Sequence, residues 1–403
     1  MVFDVEGVLI PRNRFLFEVG RSLGALPLLK ILFFGFLYET GLLPLKKALK
    51  HLFMVARGAK LHLLLTTLEK LPLMPDTKQV FTALKSQGCK TALISSGLPT
   101  VLVEKIAVSL GADYAVGAEI GVENGALTGE IWGDVTERNG KMLALKKILR
   151  AEGLNLGDCA AVADDRNNAC IFQREMRRIG YNPDFVMRVK ADTVVTGRLT
   201  KILPALDGKR KPRILPTGND FFRETIHASG FLVPVIAALV GVPLVALMIS
   251  AVVAVYAASE FLRARGINMP LISDVTRCAA SQSELSEFAL APIYFALGIL
   301  LTLLLLPFPA NSAAIAIFAL GDSAASLVGG AFSGKPLPLN KAKTLEGSLA
   351  GLLFAFLAGS VFVAPWVALV GAAVAMLVES LPLPLNDNIS IPLCTGLVLT
   401  LLA

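Results

Sequence analysis

Histidine and tryptophan are scarce in this chain, three and two in 403 residues, and the five cysteines, Cys89, Cys159, Cys170, Cys278 and Cys394, show no Cys-x-x-Cys spacing. With an odd count in a chain this long, this argues against a disulfide framework. Most of the thiols read instead as small buried apolar groups. His51 and His62 stand 11 apart with no acid or cysteine placed near both, so they read as surface or packing residues. The start, MVFDVEGVLIP, lacks a basic stretch leading into an apolar one of signal-peptide length, and the N-terminal half is therefore expected in the cytoplasm. Positive charge is scarce in one half only: residues 223–403 carry seven Lys and Arg against nine acids, while 31 of the 38 basic residues fall in 1–222. The run Lys209-Arg210-Lys211 with Arg213 has no interleaved aromatics and no nucleic-acid motif beside it. Lying just before the first long apolar segment, it suits the anionic face of a membrane better than nucleic acid.

What is present divides in two. At 54% hydrophobic and 17% charged, the chain is too apolar for one soluble domain and too charged for a pure membrane bundle. In the first half, Val2 to Val8 reads as a short strand ending in acids and a glycine, Lys90 to Gly97 as one ending in hydroxyls and a glycine, and Cys159 to Asn168 as one ending in acids and amides. Amphipathic helices at about 101–110 and 142–152 fall between them, the alternation of a doubly wound sheet. Strand ends carrying Asp, Ser and Asp together form a polar crescent suited to Mg²⁺, which takes a few carboxylates and keeps its other positions for water and phosphate oxygens.

On these motifs, residues 1 to about 206 resemble the haloacid dehalogenase superfamily, most closely its phosphoserine-phosphatase-like branch, with a Rossmann-like α/β domain and a helical cap at about 12–75. The resemblance implies Asp4 as the nucleophile that forms an aspartyl-phosphate and Glu6 as general acid and base, its carbonyl also facing the metal. It further implies Ser95 as the phosphoryl holder, Lys141 as the neutralising cation and Asp164 as a Mg²⁺ ligand, with a small phosphate ester as substrate. The sequence departs from the family pattern twice. Glu6 replaces the usual second aspartate, and Ala163-Asp164-Asp165-Arg166-Asn167-Asn168 puts an amide where the last metal-side aspartate is usual. Within the cap, Leu26 to Leu37 is apolar for a dozen positions, short of the ~20 needed to span a bilayer, so a buried or surface-lying helix is expected.

Beyond a basic linker at 207–222, residues 223–403 break into about seven apolar segments, near 228–241, 243–261, 288–306, 311–330, 345–363, 366–382 and 388–403, and predict an all-α polytopic membrane bundle. Arg263, Arg265 and Arg277 fall in one expected cytoplasmic loop and Lys335, Lys341 and Lys343 in the next, whereas the expected outer turns carry no Lys or Arg. This threading sends Glu260, Glu287, Glu346, Glu379 and Asn386-Asp387-Asn388 toward the cytoplasmic side, with Asp322 inside the fourth span. Ionisable groups at membrane depth cost several kcal/mol unless paired or facing water, so the cluster is a functional-site hypothesis.

The motifs Arg223-Glu224 with His227 before the first span, Glu260 with Arg263, Gly321 to Ser326 with Gly329, Lys343 to Ser348, Glu379 and Asp387-Asn388 resemble the dolichol kinase and phytol kinase family of CTP-dependent lipid kinases. The resemblance covers about residues 220–403. It implies a CTP and Mg²⁺ site built from Gly321, Asp322, Ala325, Ser326, Gly329, Lys335, Lys343, Thr344, Gly347, Asp387 and Asn388. Asp322 and Glu346 would be its metal-side acids, Lys343 its phosphate contact and His227 a candidate base, with a membrane lipid alcohol as acceptor. Two other readings stay open: a cytidylyltransferase that makes a CDP-lipid, and a degenerate membrane anchor for the phosphatase half. The glycines and alanines also have a purely structural reading, since small residues let membrane helices pack closely.

Overall fold

The computed structural model describes the chain apart from residues 13, 40–41, 138, 207–216, 265–266, 271, 280–288, 333, 382, 384 and 403. The basic run at Lys209 to Arg213, Arg265 and Glu287 therefore lie outside the described residues. The chain divides into two compact units, Met1–Gly208 and Lys209–Ala403.

The first unit is built on a seven-stranded sheet. Its strands are β1 (Val2–Phe3), β2 (Ala92–Pro99), β3 (Tyr114–Glu123), β4 (Ala126–Trp132), β5 (Ala160–Ala163), β6 (Arg177–Tyr181) and β7 (Thr193–Val195), in spatial order β4-β3-β2-β1-β5-β6-β7. All neighbours are parallel except the β3–β4 hairpin, so the sheet is mixed rather than wholly doubly wound. Val2 pairs with Ala92 on one side and Ala161 on the other, which puts the three strands foreseen from the sequence side by side at the centre. Those strands are shorter than their apolar runs. The chain leaves the sheet after Phe3 because Gly7, at φ +79, donates to the Ile10 carbonyl, while Leu9 and Ile10 donate back to Val5. That tight loop lifts Asp4 and Glu6 off the strand end, and only a residue without a Cβ takes the left-handed conformation cheaply.

Helices α1 (Arg14–Leu23), α2 (Ala25–Glu39), α3 (Leu45–Val55) and α4 (Leu61–Lys70) fill the segment expected as a cap. Helix α2 lies at the surface with Leu26, Leu29, Phe33 and Phe36 more than half exposed. Phe34 from this helix stacks on the exposed His51. Helices α5 (Thr77–Ser86), α6 (Thr100–Leu110) and α7 (Gly140–Glu152) flank the sheet, followed by α8 (Phe185–Lys190) and α9 (Ile202–Leu206). Phe3, Leu84, Leu93, Leu102, Val162 and Ile179 form the centre of one apolar core. Each side chain of that size contributes about 1.5–3 kcal/mol when fully buried.

The second unit is helical: α10 (Gly218–Ser229), α11 (Leu232–Val240), α12 (Val242–Ala264), α13 (Ile272–Ala279), α14 (Ala291–Leu305), α15 (Ala310–Ala331), α16 (Leu345–Gly359), α17 (Pro365–Ser380) and α18 (Asp387–Leu402). Gly241, at φ +91, separates α11 from α12, the break expected at Gly241-Val242-Pro243. Three stretches are long and apolar enough to cross a membrane, Gly218–Val240, Val242–Arg263 and Ala310–Ala331. The other expected spans correspond to apolar helices of 10–17 residues, so length and composition support three spans where about seven were expected. Arg223, Glu224 and His227, expected just outside the first span, lie instead within the first of these stretches. The cause is local: Thr217 and Asp220 form a reciprocal capping box that starts the helix at Gly218.

Helix α15 is the centre of this unit. Its face at Ala313, Ile317, Gly321 and Ala325 is buried, and α16 packs close against it. A Cβ at Gly347 would stand 2.7 Å from the Ala325 carbonyl, and one at Gly321 2.9 Å from Ala355 Cβ. These glycines thus permit close helix approach whatever else they do.

Candidate functional sites

Both units hold a buried charged cluster, and the N-terminal one sits at the carboxyl ends of β1 and β5. Asp4 is 5% exposed and accepts a hydrogen bond from Lys141 Nζ at 2.8 Å, with the backbone N–H of Val5 on the same oxygen at 2.8 Å. The lysine gets there because α7 begins hard against the preceding loop. A Cβ at Gly140 would lie 1.5 Å from the Asp134 carbonyl oxygen, so only glycine lets the helix start there. This separates Lys141 from Lys146 and Lys147, which the sequence leaves equivalent: Lys141 is 3% exposed, whereas Lys147 pairs at the surface with Asp134.

Asn168 is fully buried and binds three neighbours at once. Its amide donates to Asp4 and, at 2.8 Å, to Asp165, while its carbonyl accepts from Lys141 at 2.7 Å. A carboxylate there has no hydrogen to give Asp4, so the departure from the family pattern is a built interaction. Asp164 is 2% exposed and pairs with Arg12, whose Nε donates at 2.7 Å. Its Oδ1 is buried with no hydrogen-bond partner among the described residues. One carboxylate oxygen from each of Asp4, Asp164 and Asp165 lies within 4.8 Å of the others. Three acids converging on one point, one with an orphaned oxygen, fit a hard divalent cation such as Mg²⁺. Ser95 is buried, its Oγ accepting from the N–H of Leu98 at 3.0 Å.

The electrostatics follow from burial. Loss of solvent, reinforced by Asp4, raises the Glu6 pKa to about 7, where an acid can both give and take a proton near neutrality. Burial also lifts Asp164 and Asp165 above the usual carboxylate range, with Arg12 pulling Asp164 back in part. For Lys141 burial works against the charge, but Asp4 and Asp165 outweigh it and hold the pKa above the usual lysine value. Arg12 and Asp165 are absent from the site read off the sequence. Asp165 was legible as the neighbour of Asp164; nothing in the sequence pairs Arg12 with a residue 152 positions away.

In the helical unit, Lys343 is the hub. It pairs with Glu379 of α17 and lies 3.8 Å from Asp322 of α15. Burial disfavours its charge, and Glu379, Asp322 and Asp387 more than restore it, so its pKa is raised. His227 Nδ1 lies 3.6 Å from the other oxygen of Asp322. The structure thus brings together Asp322, Lys343, His227, Glu379 and, through its field at the lysine, Asp387. Glu346 points elsewhere and accepts from the backbone N–H of Lys335 at 3.1 Å. Thr344 caps α16 by accepting from the N–H of Gly347. Glu260 is tied to Arg263 on its own helix and accepts from the N–H of Ala289.

Residues 1–167 match the family described as haloacid dehalogenase-like hydrolase, and the α/β fold with a mixed sheet of the first unit agrees with that match. Among curated proteins it is similar to the phosphoserine phosphatase of Methanocaldococcus jannaschii, 34% identical over 121 residues, which are 30% of this chain and 57% of that protein. The phosphoserine phosphatase of Archaeoglobus fulgidus is 30% identical over 147 residues, 36% of this chain and 42% of that protein. The chain spans about half the length of these curated relatives. A solved phospho-aspartyl intermediate analogue of phosphoserine phosphatase aligns with a TM-score of 0.47 and 26% identity, covering 51% of this chain and 96% of that one. The family match ends at residue 167, and the kinase resemblance of the helical unit rests on its own motifs.

Proposed function

We propose that the N-terminal unit is a Mg²⁺-dependent phosphomonoesterase held at a membrane by the helical unit, facing the cytoplasm. The observation that carries this reading is the buried Asp4, fixed by Lys141 and Asn168 beside Asp164 and Asp165. Asp4 attacks the phosphorus of a small phosphate ester, the ester P–O bond breaks, and Glu6 gives its proton to the departing alcohol oxygen. Glu6 then takes a proton from water, the water oxygen attacks the phosphorus, and phosphate leaves with Asp4 regenerated. Lys141 and Ser95 hold the phosphoryl oxygens, and Lys141 offsets their charge. Mg²⁺, held by Asp4, Asp164 and Asp165, would supply further charge neutralisation. The names of the relatives make phosphoserine the first ester to try. Purified protein should hydrolyse p-nitrophenyl phosphate or phosphoserine with Mg²⁺ and stop with EDTA; turnover that survives chelation sinks the reading.

A second reading concerns the helical unit and is favoured by Lys343 standing between Asp322 and Glu379, residues from two different helices. It is that this unit transfers phosphate from CTP to a lipid alcohol, as the resemblance of its motifs implies. A cation flanked by acids is what a polyphosphate with its metal ion requires. Incubation with labelled CTP, Mg²⁺ and a panel of lipid alcohols separates the outcomes. CDP and a lipid phosphate support the kinase, pyrophosphate and a CDP-lipid support the cytidylyltransferase, and no CTP turnover leaves an anchor.

A further inference from the structure

We propose that Glu224, His227 and Asp322 bind a divalent first-row transition cation of the zinc type inside the helical unit. Glu224 and His227 stand three residues apart on α10, a spacing that puts two side chains on one helix face, and Asp322 meets them from α15. One ligand atom from each of the three lies within 4.8 Å of the others. His227 Nδ1 and Asp322 Oδ2 are 3.6 Å apart, too far for a hydrogen bond. Two donors each about 2.1 Å from one metal stand at about that separation or a little less.

The unsatisfied atoms point the same way. Glu224 is 4% exposed and gives Oε1 to the Arg223 guanidinium, at 3.0 and 2.8 Å, while its Oε2 is buried without a hydrogen-bond partner among the described residues. His227 Nδ1 is buried and unsatisfied as well. Two orphaned ligand atoms in one cluster are unfavourable in a protein interior unless something binds them. Charge adds to this: Glu224, Asp322 and Glu379 are three buried carboxylates facing two cations, Arg223 and Lys343.

The surroundings hold the three ligands in place. The Phe295 ring stacks on His227 with centroids 4.2 Å apart, and Ser323 donates to the Glu224 carbonyl at 3.2 Å, tying α15 to α10. Such outer contacts are what orient metal-bound side chains. An imidazole with two carboxylates selects zinc-like ions over Mg²⁺, which prefers oxygen alone. The site is distinct from the pairing of Asp322 with Glu346 that the kinase resemblance implies, and it does not depend on the chain having kinase activity.

The test uses the full chain in detergent with Asp4→Asn and Asp164→Asn, which remove the competing N-terminal acids. Co²⁺ is titrated as a coloured probe, then displaced with Zn²⁺. The expected result is one equivalent of Co²⁺ with visible ligand-field bands, unaffected by excess Mg²⁺. His227→Gln should abolish the bands, and Glu224→Gln or Asp322→Asn should weaken binding by about tenfold or more. If Glu224→Gln fails to fold, His227→Gln decides alone, read also by whether Zn²⁺ raises the unfolding temperature of the parent but not of the variant. Binding unchanged by His227→Gln, or no binding by the parent, overturns the proposal.

Discussion

The two charged clusters of this chain solve one problem by different means. In the N-terminal unit, three aspartates gather at the ends of parallel strands, and cations drawn from far along the sequence, Lys141 and Arg12, cover them. Among the described residues one oxygen of this cluster, Asp164 Oδ1, is left unpaired, and the acids line a strand-end rim. In the helical unit the acids hang from helix sides, one lysine serves both Asp322 and Glu379, and orphaned atoms remain on Glu224, His227 and Glu379. Strand ends supply loops that bend side chains and backbone N–H groups toward a ligand. Helix backbones satisfy themselves, so a site among them must be made from side chains alone. Unpaired side-chain atoms of the two clusters mark a missing partner in both settings, once at the strand ends and three times among the helices.

The comparison breaks most sharply by activity. Asp4→Asn should lower p-nitrophenyl phosphate hydrolysis on the order of 10³-fold or more, since no other group replaces a nucleophile. Lys343→Ala should leave that hydrolysis intact and remove any CTP turnover; if either change abolished both activities, the two clusters would not be separate centres. Next in size is Lys141→Met, which leaves Asp4 buried without its cation. It should destabilise the N-terminal unit by about 3–5 kcal/mol, measured by hydrogen exchange of its peptides in the full chain, and a shift near zero would mean that Asn168 alone holds Asp4.

A third expectation concerns pH. Because folding raises the Glu6 pKa from 4.5 to about 7, the folded state holds its proton more tightly. That contribution is present in full below about pH 4.5 and lost as pH rises through 7, worth at most about 3 kcal/mol because the residue is only part-buried. Burial raises Asp164 and Asp165 as well, so protons compete with Mg²⁺ for these two acids, and added Mg²⁺ should protect this unit from exchange more at pH 8 than at pH 5; equal protection at both would contradict their assignment as ligands. The smallest effect is expected from Asn168→Asp. It restores a negative charge beside Asp165 and should tighten Mg²⁺ a few-fold, about 1 kcal/mol, while loosening the metal-free unit, because the amide donation to Asp4 is lost. A weaker Mg²⁺ dependence would show that the amide, not the charge, sets the site.

Much of the N-terminal site was legible because strand ends are marked by abrupt changes in residue type, as at Phe3-Asp4 and Ala163-Asp164. The strand boundaries were less so, since apolar residues such as Val5 and Val8 continue past the last ladder hydrogen bond into a loop that also buries them. The β3–β4 hairpin, β6 and β7 escaped notice because they carry no chemistry at their ends. In the helical unit, the motifs at Arg223, Asp322 and Lys343 stood out as charges in apolar surroundings, and Asp322, Lys343, Glu379 and Asp387 were legible as one group; that Glu224 and His227 face Asp322 was not. The reading that joined Asp322 to Glu346 followed the resemblance of their motifs; in space Glu346 turns to the backbone of Lys335 and Asp322 turns to His227.

The division into an α/β half and a more apolar helical half was already legible in the order of residues, because hydropathy and charge are properties of composition and period. The sequence by itself also determined that Asp4 and Asp164 stand at strand ends. Only the tertiary structure decided which lysine of three reaches Asp4, that Asn168 donates to it, and that Glu224 and His227 face Asp322 across two helices. Those pairings depend on side-chain direction and on the few ångströms left by Gly140 or Ser323, and long-range contacts of that kind leave no local trace in the order of residues.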